Sequence, residues 1–325
     1  MKAFLCECGQ PLFFDSASCV HCHRQVGFCA ETLSMQTAGQ RVLCANHQFQ
    51  ACNWLLPEQG GSVEGLCRAC EFNRTIPDLS SADNLARWQK LEVAKKRLIY
   101  SLLALSVPLG GATPALRFDF LEDGRTNPDE YADVVHNTGY LSGVITVNVA
   151  EADDLAREQE RVAANEQYRT LVGHLRHESG HYFFEVFGLQ ASEAFKAVFG
   201  DPARDYAQAL EQYYTQGPRT DWQGEFISAY ASSHPLEDWA ETWGHYLHIR
   251  DVLETADSHG VEVGQRHAGR SDQSWADMVA RWQALSVVLN ELNRSLGLTD
   301  VYPFVLNAPA VRKLEFVHKL VTSLP

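Results

Sequence analysis

His177-Glu178-Ser179-Gly180-His181 places two imidazoles four residues apart with a carboxylate between them. In an α-helix residues four apart share a face, so both rings can aim a nitrogen at one ion while Glu178 projects beside it. Tyr168, Leu171, Val172, Leu175, Phe183, Val186 and Phe187 recur at three- and four-residue steps around the pair. That period predicts an amphipathic helix carrying the motif. The spacing is the H-E-x-x-H arrangement of zinc hydrolases, with Glu178 as the candidate general base.

Two histidines do not complete a catalytic zinc site, which takes three protein ligands and leaves a position for water. An extended H-E-x-x-H-x-x-G-x-x-H pattern is excluded, because Phe184 and Phe187 stand where its glycine and third histidine belong. The better source is Ser233-His234-Pro235-Leu236-Glu237-Asp238-Trp239-Ala240-Glu241. Pro235 suits the first turn of a helix, and Glu237 and Glu241 follow one turn apart. Glu237 is the expected third ligand. Glu241 is the carboxylate expected to take the second N–H of a ligating imidazole, which fixes the ring's tautomer. Carboxylates at a helix start also suit the helix dipole without any metal; the upstream motif favours the metal.

A chain of 325 residues, 45% of them hydrophobic, can hold a substantial core and a smaller module. With 27 Lys and Arg against 41 Asp and Glu the net charge is −14, which argues against a nucleic-acid partner bound through phosphates. No apolar run has the length of a membrane span, and the first residues, Met1-Lys2-Ala3-Phe4-Leu5-Cys6, do not resemble a secretion signal. A cytoplasmic location without membrane association is expected.

The nine cysteines all fall between Cys6 and Cys70, several in close pairs. In a reducing compartment such crowding signals metal rather than disulfides. Cys6, Cys8, Cys19 and Cys22 form one expected structural zinc site, with Leu12, Phe13 and Phe14 between the knuckles reading as a strand. Cys44, Cys52, Cys67 and Cys70 form a second, less regular one. Four thiolates close a zinc tetrahedron, although His21, His23 or His47 could replace a thiolate. Cys29 is left over as a small buried apolar residue. So little core implies that metal supplies much of this region's stability.

Residues 1–75 therefore read as a zinc-ribbon region, able to dock a protein partner, and 76–325 as a second domain. Helices are expected over Asn84–Leu105, most of Glu151–Phe187, Phe195–Tyr214, Pro235–Ala256 and, last, Ser274–Leu296. Strands are expected at Leu116–Phe120 and Gly143–Val149. His174 could line a cleft one turn before His177, whereas His245 and His248 suit packing or surface.

Longer strings carry a family resemblance. Cys52-Asn53-Trp54-Leu55, Asn73-Arg74-Thr75-Ile76-Pro77-Asp78-Leu79, the run Tyr168 to Glu178, Ser228-Ala229-Tyr230-Ala231-Ser232-Ser233-His234-Pro235 and Asp238-Trp239-Ala240-Glu241-Thr242-Trp243 resemble the bacterial zinc-binding metallopeptidases with an N-terminal zinc ribbon. The resemblance covers nearly the whole chain. It implies an α+β fold: a small zinc-ribbon module, then a mainly helical zincin-like (gluzincin-like) domain with a short β-sheet. In such peptidases a strand beside the active site lends its edge to an extended substrate, and the Val144–Val149 run could serve, or be internal. The Glu237 segment is also similar to the lethal-factor type of gluzincin, in which a tyrosine seven residues before the ligand glutamate faces the metal. By that similarity Tyr230 would donate to the oxyanion, with His234 a competing candidate for the same contact.

The expected function is hydrolysis of peptide or isopeptide bonds in a peptide or protein substrate, with one catalytic and two structural zinc ions. The alternative is a catalytically silent zinc-binding scaffold.

Overall fold

The computed structural model describes residues 1–39, 41–58, 65–127, 131, 133, 136–163, 169–263 and 274–324. The chain is α+β, a zinc-ribbon region followed by a mainly helical part. It divides into two compact units: Met1–Glu160 with Thr170–Tyr182 and Leu324–Pro325, and Arg161–Arg169 with Phe183–Ser323.

The first unit opens with two small antiparallel hairpins. β1 (Phe4–Leu5) pairs with β2 (Pro11–Leu12), and β3 (Val26–Cys29) pairs with β4 (Ser34–Thr37). So short a segment cannot bury an independent core, and it borrows one. Phe28 packs on Trp54 with ring centroids 4.7 Å apart, Phe14 on Phe28 at 4.9 Å, and Phe14 on Tyr100 at 5.4 Å. Tyr100 belongs to α1 (Ala82–Ala104), whose Trp88, Leu91, Lys95, Leu98 and Leu102 are buried at helical spacing. Gln89 adds a bond to the Phe49 carbonyl at 2.6 Å. The 1–75 segment and α1 thus share one core.

β5 (Asn73–Thr75), β6 (Arg117–Leu121), β7 (Gly139–Leu141) and β8 (Val144–Asn148) form a sheet in the order β5-β6-β8-β7. β6 runs parallel to β5 and β8, and β7 runs antiparallel to β8. The Val144–Asn148 strand therefore has a neighbour on each side, and among the described residues the sheet's end strands are β5 and β7. A two-residue turn joins β7 to β8, with Ser142 and Gly143 at φ 48° and 88°, the signs of a type I′ hairpin. A Cβ at Gly143 would meet the Ala115 carbonyl oxygen at 2.6 Å, so glycine is required there on both counts. α2 (Asp154–Ala163) follows. α3 (Leu171–Val186) contains the H-E-x-x-H residues. Tyr168, expected on its apolar face, lies with 164–167 outside the described residues.

The second unit is helical: α4 (Glu193–Phe199), α5 (Tyr206–Gln216), α6 (Trp222–Glu225), α7 (Pro235–Ser258), α8 (Trp275–Ser295) and α9 (Ala308–Thr322). The single helix expected over Phe195–Tyr214 is two. Gly200, at φ 96°, ends α4, and the Asp205 side chain accepts from the Gln208 amide to start α5. α9 lies beyond the last helix expected; Ala310, Leu314, Val317 and Val321 form its buried face. Its Lys313 ammonium meets the buried Asp238 carboxylate of α7 at 2.7 Å. The last turn of α3 joins this core, with Phe183 4.9 Å from Trp243 and Phe184 5.1 Å from Phe195. Among the described residues no helix is long and apolar enough to cross a membrane.

Candidate active site and metal centres

Cys6, Cys8, Cys19 and Cys22 converge, as do Cys44, Cys52, Cys67 and Cys70, with the sulfurs of each set within 4.8 Å of one another. The pairs Cys6–Cys22, Cys8–Cys19 and Cys52–Cys67 are 3.6 Å apart. That is too long for a disulfide. It is close to the edge of a tetrahedron with Zn–S bonds of about 2.3 Å, roughly 3.8 Å. Both donor sets fit zinc, and neither uses a histidine. His47 instead meets the Cys52 carbonyl at 3.1 Å. Cys29 stands apart, buried, and accepts from Arg41 Nη1 at 3.0 Å.

The two sets differ in setting. Cys8 of the first is exposed, while all four cysteines of the second are buried. Burial and the neighbouring Cys44 thiol push Cys52 and Cys67 well above the ordinary thiol value, so four thiolates persist there only beside a cation. Backbone amides point at the sulfurs: Trp54 N–H at Cys52 and Cys67 N–H at Cys44, each 3.4 Å. Behind Cys70 lies a fully buried ion pair, Lys95 to Glu92 at 2.8 Å. Asn73 donates to Glu92 at 2.7 Å and accepts from Lys95. Three residues of the Asn73-to-Leu79 string have structural roles here. Asn73 satisfies the buried pair, Arg74 clasps Asp119 of β6, and the Asp78 amide donates to Glu122 at 3.0 Å.

On α3 the helical period brings His177 and His181 together as anticipated, with their Nε2 atoms 3.3 Å apart. Two zinc–nitrogen bonds of about 2.0–2.1 Å in tetrahedral geometry span roughly 3.4 Å. The rings therefore sit where one ion would require them. Tyr140 of β7 lies over the His181 ring, centroids 6.5 Å apart and planes 18° from parallel. Glu178 Oε1 is 3.3 Å from His174 Nε2, and His174 Nδ1 is 2.7 Å from Glu151 Oε2. Burial disfavours the His174 cation, but the charge and hydrogen bond of Glu151, then Glu178, outweigh it and push its pKa to about 10. Burial likewise opposes ionisation of Glu178. The bond from His174 and the charges of His177 and its neighbours prevail, holding the carboxyl below its usual range.

In the second unit, Glu237 is buried in the first turn of α7 and accepts from the Tyr206 hydroxyl at 2.6 Å. Glu241, one turn on, accepts from Ser228 Oγ at 2.6 Å. Tyr230 sits in a 3-10 turn ahead of α7, edge-on to Tyr213 at 5.5 Å. Burial and then the Glu237 charge raise its pKa far above the usual phenol value, so it keeps its proton. His234 is the N-cap of α7: its Nδ1 accepts from the Leu236 amide at 3.1 Å and its Nε2 faces the Arg204 carbonyl at 3.2 Å. These two contacts give His234, the competing candidate for the oxyanion contact, a helix-capping role at the start of α7. His245 bonds Tyr302 at 2.8 Å, the packing role anticipated for it.

Sequence reasoning missed Tyr206 and Glu151. Each meets its partner across 31 and 23 residues, separations at which no local period operates.

The fold and these donor sets define a zinc-binding protein with a ribbon at its start. Residues 84–320 match the family described as "Putative zinc-binding metallo-peptidase", and residues 3–81 match a zinc-ribbon domain. The chain belongs to this zinc-binding metallopeptidase family. It is 39% identical over 338 residues to an uncharacterized protein of Mycobacterium bovis and to one of Mycobacterium tuberculosis strain H37Rv, covering 100% of this chain and 96% of each relative. No solved structure matches it.

Proposed function

We propose that His177, His181 and Glu237 hold one catalytic zinc ion and that the chain hydrolyses peptide or isopeptide bonds in a peptide or protein substrate. The observation that carries this is the 3.3 Å separation of the two Nε2 atoms beside an ionised Glu178. Two imidazoles and a carboxylate are also the donor set of a hydrolytic zinc site. Zinc bound there would polarise a carbonyl and acidify water to near neutrality.

The chain's own groups supply the rest. Glu178, ionised and buried, takes a proton from the attacking water and returns it to the leaving amine. Tyr230, held protonated, donates to the oxygen on which negative charge develops. Tyr206 fixes Oε1 of Glu237, which would orient that carboxylate as a ligand, and Glu241, steadied by Ser228, would serve a ligating imidazole. His234 shapes the start of α7. An extended substrate would add to the edge of β7, antiparallel to β8. Two further zinc ions would be structural, in the cysteine sets, for a total of three.

The test is metal analysis with a fluorogenic peptide library on wild type and Glu237→Ala. Wild type should cleave, and the variant should drop from three zinc ions to two and lose cleavage. A variant that keeps three ions and the wild-type rate contradicts the assignment, and three ions without wild-type cleavage point to a scaffold.

A further inference from the structure

The assignment of Glu178 as general base leaves a neighbouring group unused, and the inference here rests on that assignment. His174 lies one turn before His177, and each of its ring nitrogens faces a carboxylate oxygen, Glu151 Oε2 at 2.7 Å and Glu178 Oε1 at 3.3 Å. Ionised carboxylates only accept hydrogen bonds, so a ring bridging two of them donates from both nitrogens. The site is enclosed: the side chains of His174, Glu151 and Glu178 are 18%, 4% and 7% exposed. Such a bridge competes poorly with water at a surface but is strong when desolvated.

Glu151 is itself braced. Its second oxygen, Oε1, accepts from Thr138 Oγ, and that oxygen in turn accepts from the Asn148 amide at 3.1 Å. Thr138 immediately precedes β7, and Asn148 is the last residue of β8. The Asn148 side chain accepts from the Ala150 amide at 2.8 Å, starting the short 3-10 turn that carries Glu151. A chain of bonds therefore runs from the sheet edge through Glu151 and His174 to Glu178. A free glutamate on a helix samples several rotamers. This one has Oε1 tied to His174.

We propose that His174, held by Glu151, is a positioning residue for Glu178, registering the base against the edge strand of the sheet. It is neither a zinc ligand nor a group that touches substrate. Misaligning an oriented catalytic group costs on the order of 10- to 100-fold in rate. His174→Ala and Glu151→Ala should each lower kcat by about that factor, with KM and zinc content near wild type. Because both act through one bridge, the double variant should be little worse than either single one. His174→Gln, whose amide can still donate to Glu178, should recover part of the loss.

The bridge also has a readout without turnover. In zinc-loaded protein carrying 15N-histidine, His174 should show two downfield, exchange-protected ring N–H resonances, and Glu151→Ala should abolish the Nδ1 one. Wild-type kcat in both single variants, strictly multiplicative losses, or a His174 ring without two protected protons would each overturn the proposal. Wild-type protein that cleaves no peptide would instead remove the general-base assignment, and the resonances would then decide alone whether the bridge exists.

Discussion

The second cysteine set and the histidine pair of α3 both hold donors at zinc-tetrahedron spacing, yet their surroundings are opposite. Around Cys44, Cys52, Cys67 and Cys70 every donor is a buried sulfur, amides point at the sulfurs, and the nearby charges, Lys95 and Glu92, are spent on each other. Four protein ligands leave no position for water. Around His177 and His181 the helix supplies two nitrogens, and the adjacent carboxylate is kept ionised and tied by one oxygen. A closed shell with balanced charge stabilises; an incomplete shell beside an oriented base suits chemistry.

The largest effect should come from breaking the closed shell. Cys67→Ser should release one zinc ion and unfold the segment that shares the Phe28, Trp54 and Tyr100 core, since structural zinc contributes on the order of 10 kcal/mol in small zinc domains. Cys8→Ser, at an exposed sulfur, should cost visibly less. Zinc counts and thermal melts decide this, and equal losses would mean that the two cysteine sets are equivalent.

Next is the charge behind it. Lys95→Met leaves Glu92 buried and uncompensated 3.8 Å from Cys70, a situation worth about 3–5 kcal/mol. Denaturant titration should show that loss, with much of it regained in Lys95→Met/Glu92→Leu. A double variant no better than the single would show that the pair is not balanced internally.

The two regions should also answer pH in opposite directions. Acid protonates thiolates and expels their zinc. The His174 pKa is raised from 6.5 to about 10, so its contribution is complete below pH 6.5 and is lost as pH rises through about 10. In zinc-loaded protein the Tm gap between wild type and His174→Ala should be widest near pH 6 and close toward pH 10. A gap that widens with alkalinity would reverse the assigned sign.

The smallest change is at Glu237, the proposed third ligand. Tyr206→Phe removes the bond to Glu237 Oε1 and should weaken catalytic zinc about 10-fold, as loss of a group supporting a ligand does. Competition with a chelator measures this, and unchanged affinity would make Tyr206 incidental.

Much of this was legible where chemistry follows a short period. The α3 motif, the start of α7 after Pro235, both halves of the first cysteine set and the Cys67–Cys70 pair of the second depend on neighbours within a turn or a knuckle. The break at Gly200 was marked by a glycine and by Asp205, but the aromatic and alanine positions on either side masked it. The buried face of α9 follows a four- and three-residue step through Ala310, Leu314, Val317 and Val321. Strand order was not legible, because nothing local in Val144–Asn148 says that β6 and β7 both pair with it. The Glu151–His174 bridge and the Tyr206 bond join residues far apart in sequence, and only the folded chain brings them together.

The central claim is that Glu178 is the base of a zinc peptidase. Its most direct test is Glu178→Gln, assayed for zinc content and for cleavage of a fluorogenic peptide library beside wild type. The expected result is unchanged zinc with kcat lowered by about 10²- to 10⁴-fold, the usual worth of a general base. A Glu178→Gln protein that keeps its zinc and cleaves as fast as wild type would contradict it.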